Sequence, residues 1–262
     1  MKRRTNREED LLEASYGTYT NKWLIITPFS IAAILIGLVF LPIPLWATVL
    51  LATLAGLSAL IGTYMLYMTW ALSDDDYKKA LCDAILERLD WNGEGTALDI
   101  GAGSGLMTIG LALRYPDAKV VGCDTWAAGF VGLSKERCEQ NAIAEGVADR
   151  VHFEEGNAIQ LPYEEQGFNA VVSNYVFHEV REQNDKLALL REALRVLQPG
   201  GAFAFQDPFG MKALYGDLNT LLESLRTDGL AKVQIVPLGN VVRIPSLLRP
   251  ITFGSSILYG VK

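Results

Sequence analysis

The residues best suited to chemistry lie between Leu98 and Asp124. A short apolar run, Thr96-Ala97-Leu98-Asp99-Ile100, leads into Gly101-Ala102-Gly103-Ser104-Gly105, and an apolar stretch with helical spacing then reaches about Arg114. Strand, glycine loop and helix in that order cradle nucleotide-type ligands. Glycine tolerates positive φ and lets backbone close in on a ligand, while the helix start offers free N–H groups. A second strand, Lys119 to Cys123, ends in Asp124, 19 residues after Gly105, about where a carboxylate meets the two hydroxyls of a ribose. The loop also discriminates between ligands. A dinucleotide fingerprint needs glycine three residues after Gly103, where Leu106 stands, and Asp99 would repel a pyrophosphate at short range. A cationic ligand carrying an ammonium group suits Asp99 better.

These groups need a sheet to hold them. Ser73-Asp74-Asp75-Asp76 supplies caps and negative charge for a helix start, and Ala80, Leu81, Ala84, Ile85 and Leu89 continue at helical spacing. Further strands are expected at Arg150 to Glu154, Phe168 to Asn174 and Ala202 to Phe205. Lys232 to Pro237 and Ser256 to Val261 read as a closing antiparallel pair. The expectation is an α/β fold, a seven-stranded, mostly parallel Rossmann-like sheet with helices on both faces, over residues 73–262.

The 262 residues are 50% hydrophobic and 20% charged, with mean hydropathy +0.20. Much of that apolar excess is confined to one region, since Trp23 to Leu72 holds no Asp, Glu, Lys or Arg. Pro42 and Pro44 interrupt it, which predicts a transmembrane helical hairpin with spans at about 23–41 and 45–72. Trp23, Trp46, Tyr64, Tyr67 and Trp70 sit where membrane interfaces would fall. A cleaved signal peptide fits less well, because a second apolar segment follows at once, and a buried hairpin would need cover on every side. Lys2, Arg3, Arg4, Arg7 and Lys22 precede the first span and Lys78 and Lys79 follow the second, so both termini are expected in the cytoplasm. Residues 1–22 form the cytoplasmic tail, with a weak amphipathic pattern from Arg7 to Tyr19. Ala52, Gly56, Ala59 and Gly62 space small residues for close helix packing, more naturally within the hairpin than in a homodimer.

A net charge of -7 and a pI near 5.0 argue against a nucleic-acid partner. Cys82, Cys123 and Cys138 lack metal-ligand spacing, and with two histidines in the chain no metal site is expected. The cysteines read as reduced thiols.

Several segments together resemble the class I S-adenosylmethionine-dependent methyltransferases, over nearly all of residues 74–262. Leu98 to Gly105 resembles their motif I and Val121-Gly122-Cys123-Asp124 their acidic second strand end. Phe168 to Asn174 resembles the fourth strand, and Arg195-Val196-Leu197-Gln198-Pro199-Gly200-Gly201 the turn into strand five. The resemblance implies that Asp99, Gly101, Ala102, Gly103, Ser104 and Gly105 wrap the methionine part of S-adenosyl-L-methionine. Asp124 would bind the ribose beside Thr125, Asn157 and Ala158 would edge the adenine, and Asn174 would border the cofactor. An acid usually stands where Asn157 is, but its amide still offers a carbonyl acceptor. Trp126 either stacks on adenine or packs as a core or membrane-facing tryptophan.

Methyl transfer is an in-line displacement in which the protein supplies alignment and desolvation. If the acceptor is a hydroxyl or an enolisable carbon, a base helps, and His178 and Glu179, just beyond strand four, are the candidates. His178 is as readily a cap or packing residue of the next helix. His152, within a strand, reads as structural. Gln206 and Asp207 open toward the same end of the sheet, with Phe209 and Tyr215 as walls. The Asn-Pro-Pro-Tyr pattern of many nitrogen methylases is missing after strand four. Gly239 to Gly254, apolar with Arg243 and Arg249, reads as a cover for the site, a dip into anionic headgroups, or ordinary packing.

The leading reading is a membrane-anchored methyltransferase for a lipophilic or membrane-associated acceptor. The alternatives are a small soluble acceptor with the hairpin used only for localisation, and a non-catalytic, cofactor-binding membrane scaffold.

Overall fold

The computed structural model describes residues 14–17, 22–127 and 133–262. The tail expected over 1–22 therefore lies outside the described residues, except for 14–17 and 22. The chain divides into two compact units, within residues 17–78 and within residues 79–262 together with residues 14–16.

The first unit is a helical hairpin of α1, Trp23–Val39, and α2, Leu45–Leu72. α1 ends two residues earlier than the apolar pattern suggests. Pro42 and Pro44 disfavour helix just before them, and Ile43 N–H turns back onto the Leu41 carbonyl. The Ser58 hydroxyl donates to the carbonyl of Pro28 at 2.8 Å, and the Phe29 ring lies against Gly62, where an added Cβ would sit 3.0 Å away. Thr53, Thr63 and Thr69 return their hydroxyls to carbonyls four residues earlier, which satisfies them without solvent. Trp23, Phe40, Leu45, Trp46 and Trp70 are exposed. Among the described residues, α2 is the one helix long and apolar enough to cross a membrane. At 17 residues α1 spans roughly 26 Å, short of a hydrocarbon core about 30 Å thick. Of the two expected spans, one therefore meets the length criterion.

The second unit takes in most of α3, Asp75–Leu86, and carries α4, Leu106–Arg114, α5, Lys135–Ala144, α6, Lys186–Arg195, and the shorter α7, Lys212–Tyr215, and α8, Leu218–Thr227. Its strands are β1 Thr96–Ile100, β2 Lys119–Asp124, β3 Val151–Glu155, β4 Phe168–Asn174, β5 Leu197–Asp207, β6 Lys232–Pro237 and β7 Ser256–Val261. They form one seven-stranded sheet in the order β3-β2-β1-β4-β5-β7-β6, parallel except at β7. The order reverses between β1 and β4, the switch point where such sheets open a crevice at their carboxyl ends.

The register decides which side chains share a face. Asp99, Val172 and Ala204 are aligned across β1, β4 and β5, as are Asn174 and Gln206 one layer higher. On the opposite face Leu98, Ile100, Val171, Phe203 and Phe205 pack with α6 and α8 through Leu189, Leu190, Leu221 and Leu225. Burying a side chain of this size contributes about 1.5–3 kcal/mol, so this core fixes the ends of β4 and β5. Residues 14–16 join the unit through α5: Ser15 N–H donates to Asn141 Oδ1 at 2.9 Å, and Asn141 Nδ2 donates back to the Ser15 carbonyl at 3.0 Å.

Candidate active site

The glycine loop is tied down from both sides. Gly101 and Ala102 N–H groups donate to the Cys123 carbonyl at 2.8 and 3.0 Å, and Gly103 N–H donates to Asp124 Oδ2 at 2.8 Å. Gly101, Gly103 and Gly105 have φ of 80°, 57° and 87°, the left-handed region that side chains disfavour. At Gly101 space is limiting as well, because a Cβ would come within 2.1 Å of the Val176 side chain. That contact brings the loop after β1 against the loop after β4.

Asp124 holds a second N–H, from Trp126 at 2.8 Å to Oδ1. Trp126 has φ 47°, and its indole N–H donates to the Gly103 carbonyl at 3.0 Å. The ring is thus latched onto the glycine loop. Thr125 is exposed beside it. Ser104 is buried, and its carbonyl accepts from Asn141 Nδ2 at 2.9 Å. Asp99 is buried beneath the loop, where Thr108 Oγ1 donates to its Oδ2 at 2.6 Å and Oδ1 has no hydrogen-bond partner. Burial pushes its carboxyl up to about 7 against the pull of Thr108. Beyond β3, Asn157 spends its side-chain oxygen on the Ile159 N–H at 2.9 Å, and Ala158 is buried next to it.

A second cluster forms at the carboxyl ends of β4 and β5. Tyr175, with φ 57°, donates its N–H to the Gln206 carbonyl at 2.8 Å, and the chain then makes a single 3-10 turn, Phe177–Glu179. Asp207, fully buried, accepts the Phe177 N–H at 2.8 Å through Oδ2, and its Oδ1 lies 2.8 Å from His178 Nδ1. His178 Nε2 is 3.4 Å from Glu179 Oε1, and the Tyr175 ring stands edge-on to the imidazole at 5.6 Å. Burial pulls the imidazole down, but hydrogen bonds and charge from Asp207 and Glu179 outweigh it and carry His178 up to about 9. The same contact holds the Glu179 carboxyl below its usual range. Burial pushes Asp207 up, opposed by His178. The two groups titrate as a coupled pair in which the Asp207 carboxylate favours a proton on His178. Around it Asn174 Oδ1, both amide atoms of Gln206 and the Tyr215 hydroxyl are buried with no hydrogen-bond partner, a costly arrangement.

Residues 98–205 match the model of the methyltransferase domain family. Over these residues the chain is similar to methyltransferase domains. Among curated relatives, the demethylmenaquinone methyltransferase of Deinococcus radiodurans is 36% identical over 120 residues, 45% of this chain and 46% of that protein. The 27-O-demethylrifamycin SV methyltransferase of Amycolatopsis mediterranei is 30% identical over 161 residues, 60% of this chain and 54% of that protein. The chain spans about half the length, or less, of the curated relatives it matches. Among solved structures, the geranyl diphosphate C-methyltransferase of Streptomyces coelicolor superposes with TM-score 0.54 at 15% identity, covering 75% of this chain and 81% of that one. Another, a [4+2]-cyclase, superposes with TM-score 0.50 at 22% identity, covering 70% and 80%. The fold is common to both chemistries, so the reaction must be argued from the site.

The residues of this site fit S-adenosylmethionine. The Gly105 start of α4 carries no side-chain cap, leaving N–H groups for a carboxylate. Asp124 is partly exposed, and each of its oxygens keeps a lone pair beyond the N–H it accepts, as ribose hydroxyls require. The unpartnered Asn174 Oδ1 supplies a further acceptor. Sequence spacing brought together the loop and Asp124, and put His178 beside Glu179. Missing from it was the bond between His178 and Asp207, which depends on β5 pairing with β4. Asp207 as the residue ending β5 was the available signal. Phe209 is fully buried on Tyr215 at 4.8 Å, within the core. His152 is exposed beside Glu154 at 3.2 Å.

Proposed function

We propose that the protein is a membrane-held S-adenosylmethionine-dependent methyltransferase acting on a lipophilic acceptor that loses a proton, a phenol, hydroxyl or enolisable carbon. The observation that carries the catalytic part is the Asp207–His178 pair, joined to the glycine loop through Val176 and Gly101. Bound in that loop, the cofactor would supply an electrophilic methyl group. Gly101 to Gly105, Asp124 and Trp126 hold and orient it, with Asn157, Ala158 and Asn174 at its edges. Once His178 has lost its extra proton, Asp207 holds the imidazole by Nδ1–H and leaves Nε2, beside Glu179, to take the acceptor's proton, so transfer quickens as pH rises toward about 9. A base held as high as about 9 takes a proton from a phenol more readily than an unperturbed histidine does. The membrane part is supported by α2, a 28-residue apolar helix with its flanks exposed, and by the demethylmenaquinone methyltransferases among the relatives. Holding the site at a bilayer raises the effective concentration of a membrane-dissolved acceptor.

The test uses the full-length protein in lipid nanodiscs with methyl-labelled S-adenosylmethionine, offered total lipid extract or aqueous extract. Label in the organic phase, reduced about a hundredfold or more by His178→Gln, is the expected outcome. Label confined to the aqueous phase would replace the acceptor by a soluble one. No transfer with intact cofactor binding would leave a cofactor-binding scaffold.

A further inference from the structure

The catalytic domain carries a cationic, apolar-tipped surface that the reaction does not use. From Ser73 onward the chain has 18 basic and 26 acidic residues, yet no acidic residue lies beyond Asp228. Of the four bases there, Lys232 and Lys262 stand at the far ends of β6 and β7, Lys232 paired with Asp90 and Lys262 donating to the Leu194 and Leu197 carbonyls, which leaves Arg243 and Arg249. Arg243 and Arg249 belong to the connection between β6 and β7. Both are exposed, and among the described residues neither makes an ion pair.

This connection is a built element. Leu238, Val242 and Leu248 turn inward and are buried. Its far end is stitched to the turn after β5, where Gly210 N–H donates to the Gly254 carbonyl at 2.8 Å. The outward side chains are nevertheless large and apolar: Phe253 is 74% exposed, Leu247 57%, Ile251 43% and neighbouring Met211 41%. Aliphatic and aromatic tips flanked by arginines, on a domain otherwise negative, match a layer whose surface is anionic and whose interior is apolar.

We infer that the β6–β7 connection docks the catalytic domain onto an anionic lipid bilayer, with Phe253, Leu247 and Ile251 entering the headgroup boundary and Arg243 and Arg249 pairing with lipid phosphates. This deepens the membrane reading above and rests on it for the origin of the acceptor. The docked loop also touches the chemistry. Ser255, at its end, shares a 2.5 Å hydrogen bond with the Tyr175 hydroxyl, and the Tyr175 ring abuts His178. Seating the loop on lipid therefore bears on the pocket through one side chain.

The test labels full-length protein through Phe253→Cys with an environment-sensitive fluorophore. Native Cys82, Cys123 and Cys138 are buried, which favours labelling of the new thiol. Ile143→Cys on α5 is the exposed control, Trp46→Cys in the helical hairpin reports the anchor, and Leu247→Cys repeats the test should Phe253→Cys fold poorly. In phosphatidylcholine–phosphatidylglycerol vesicles, emission at 253 shifts to the blue and is quenched by spin-labelled lipid, whereas emission at 143 is not. Arg243→Gln with Arg249→Gln weakens loop docking about thirtyfold, at about fivefold per basic side chain near an anionic leaflet. Quenching at 46 without quenching at 253 overturns the loop's docking and leaves the anchor standing. Quenching at neither position overturns both. A blue shift at 253 that appears in detergent and grows with protein concentration assigns the surface to a second copy and also overturns it. S-adenosylhomocysteine binding by each labelled protein checks the fold and keeps the methyltransferase reading separate.

Discussion

Replacing Asp207 by asparagine removes the charge that keeps a proton on His178 while leaving an oxygen to accept the Phe177 N–H. Wild-type His178 titrates near 9, against 6.5 for an ordinary histidine. At about 1.36 kcal/mol per pH unit the difference is about 3 kcal/mol. Because the folded value is the higher one, this stabilisation is fully present below pH 6.5 and is lost as pH rises through about 9. Asp207→Asn should therefore unfold more easily than wild type by up to about 3 kcal/mol in mild acid, with the gap closing toward about pH 9. Its His178 should fall toward the ordinary range, since burial is then opposed by Glu179 alone. NMR titration of the imidazole protons is a clean assay, because the chain has two histidines and the other, His152, is exposed. A wild-type His178 that titrates near 6.5, or one that does not move in Asp207→Asn, would refute the reasoning. The same logic makes methyl transfer rise with pH toward about 9 in the wild type and flatten at lower pH in the variant.

Gly101→Ala places a Cβ 2.1 Å from Val176 at φ 80°. It should cost about 1–3 kcal/mol in thermal melts and weaken S-adenosylhomocysteine binding; a melt unchanged from wild type would mean that the two loops do not meet there. Asp99, raised by burial to about 7, loses favour in the fold as pH rises from 3.8 to that value, so Asp99→Asn should be more stable than wild type above about pH 7 and not in acid. A destabilised variant at high pH would show that Asp99 has a charged partner. Tyr175→Phe removes the bond to Ser255, worth about 1 kcal/mol, and limited proteolysis between Pro237 and Ser256 should speed up severalfold. Unchanged cleavage would remove the tyrosine as the loop's tether.

How far the sequence could be read depended on whether a feature was local. β1, β4, β6 and β7 begin and end where their apolar runs meet turn residues, because each run is short and sharply bounded. β5 is longer than the run Ala202 to Phe205. Gln198-Pro199-Gly200-Gly201 looks like a turn, but the strand spans Leu197–Asp207, the register slipping between Phe168 and Ala170 as Gly200 N–H reaches the Lys262 carbonyl. Asp99 was legible as an acid beside the loop but not as one turned under it toward Thr108, a contact that exists only once α4 packs on the sheet. For the same reason His178 looked equally like a base and a helix cap. Asp207, 29 positions away, is what holds the imidazole by its Nδ1, and no local pattern reports it. Adenine stacking and packing are both open to Trp126 in the sequence; the fold latches its indole to the Gly103 carbonyl and its backbone N–H to Asp124.

The central claim is that this chain holds S-adenosylmethionine between its glycine loop and Asp124, and calorimetric titration of the full-length protein in nanodiscs with S-adenosylhomocysteine tests it most directly. The account predicts binding at one site per chain, abolished by Asp124→Ala while the thermal melt remains cooperative. No heat of binding from folded wild type, or binding untouched by Asp124→Ala, would contradict it.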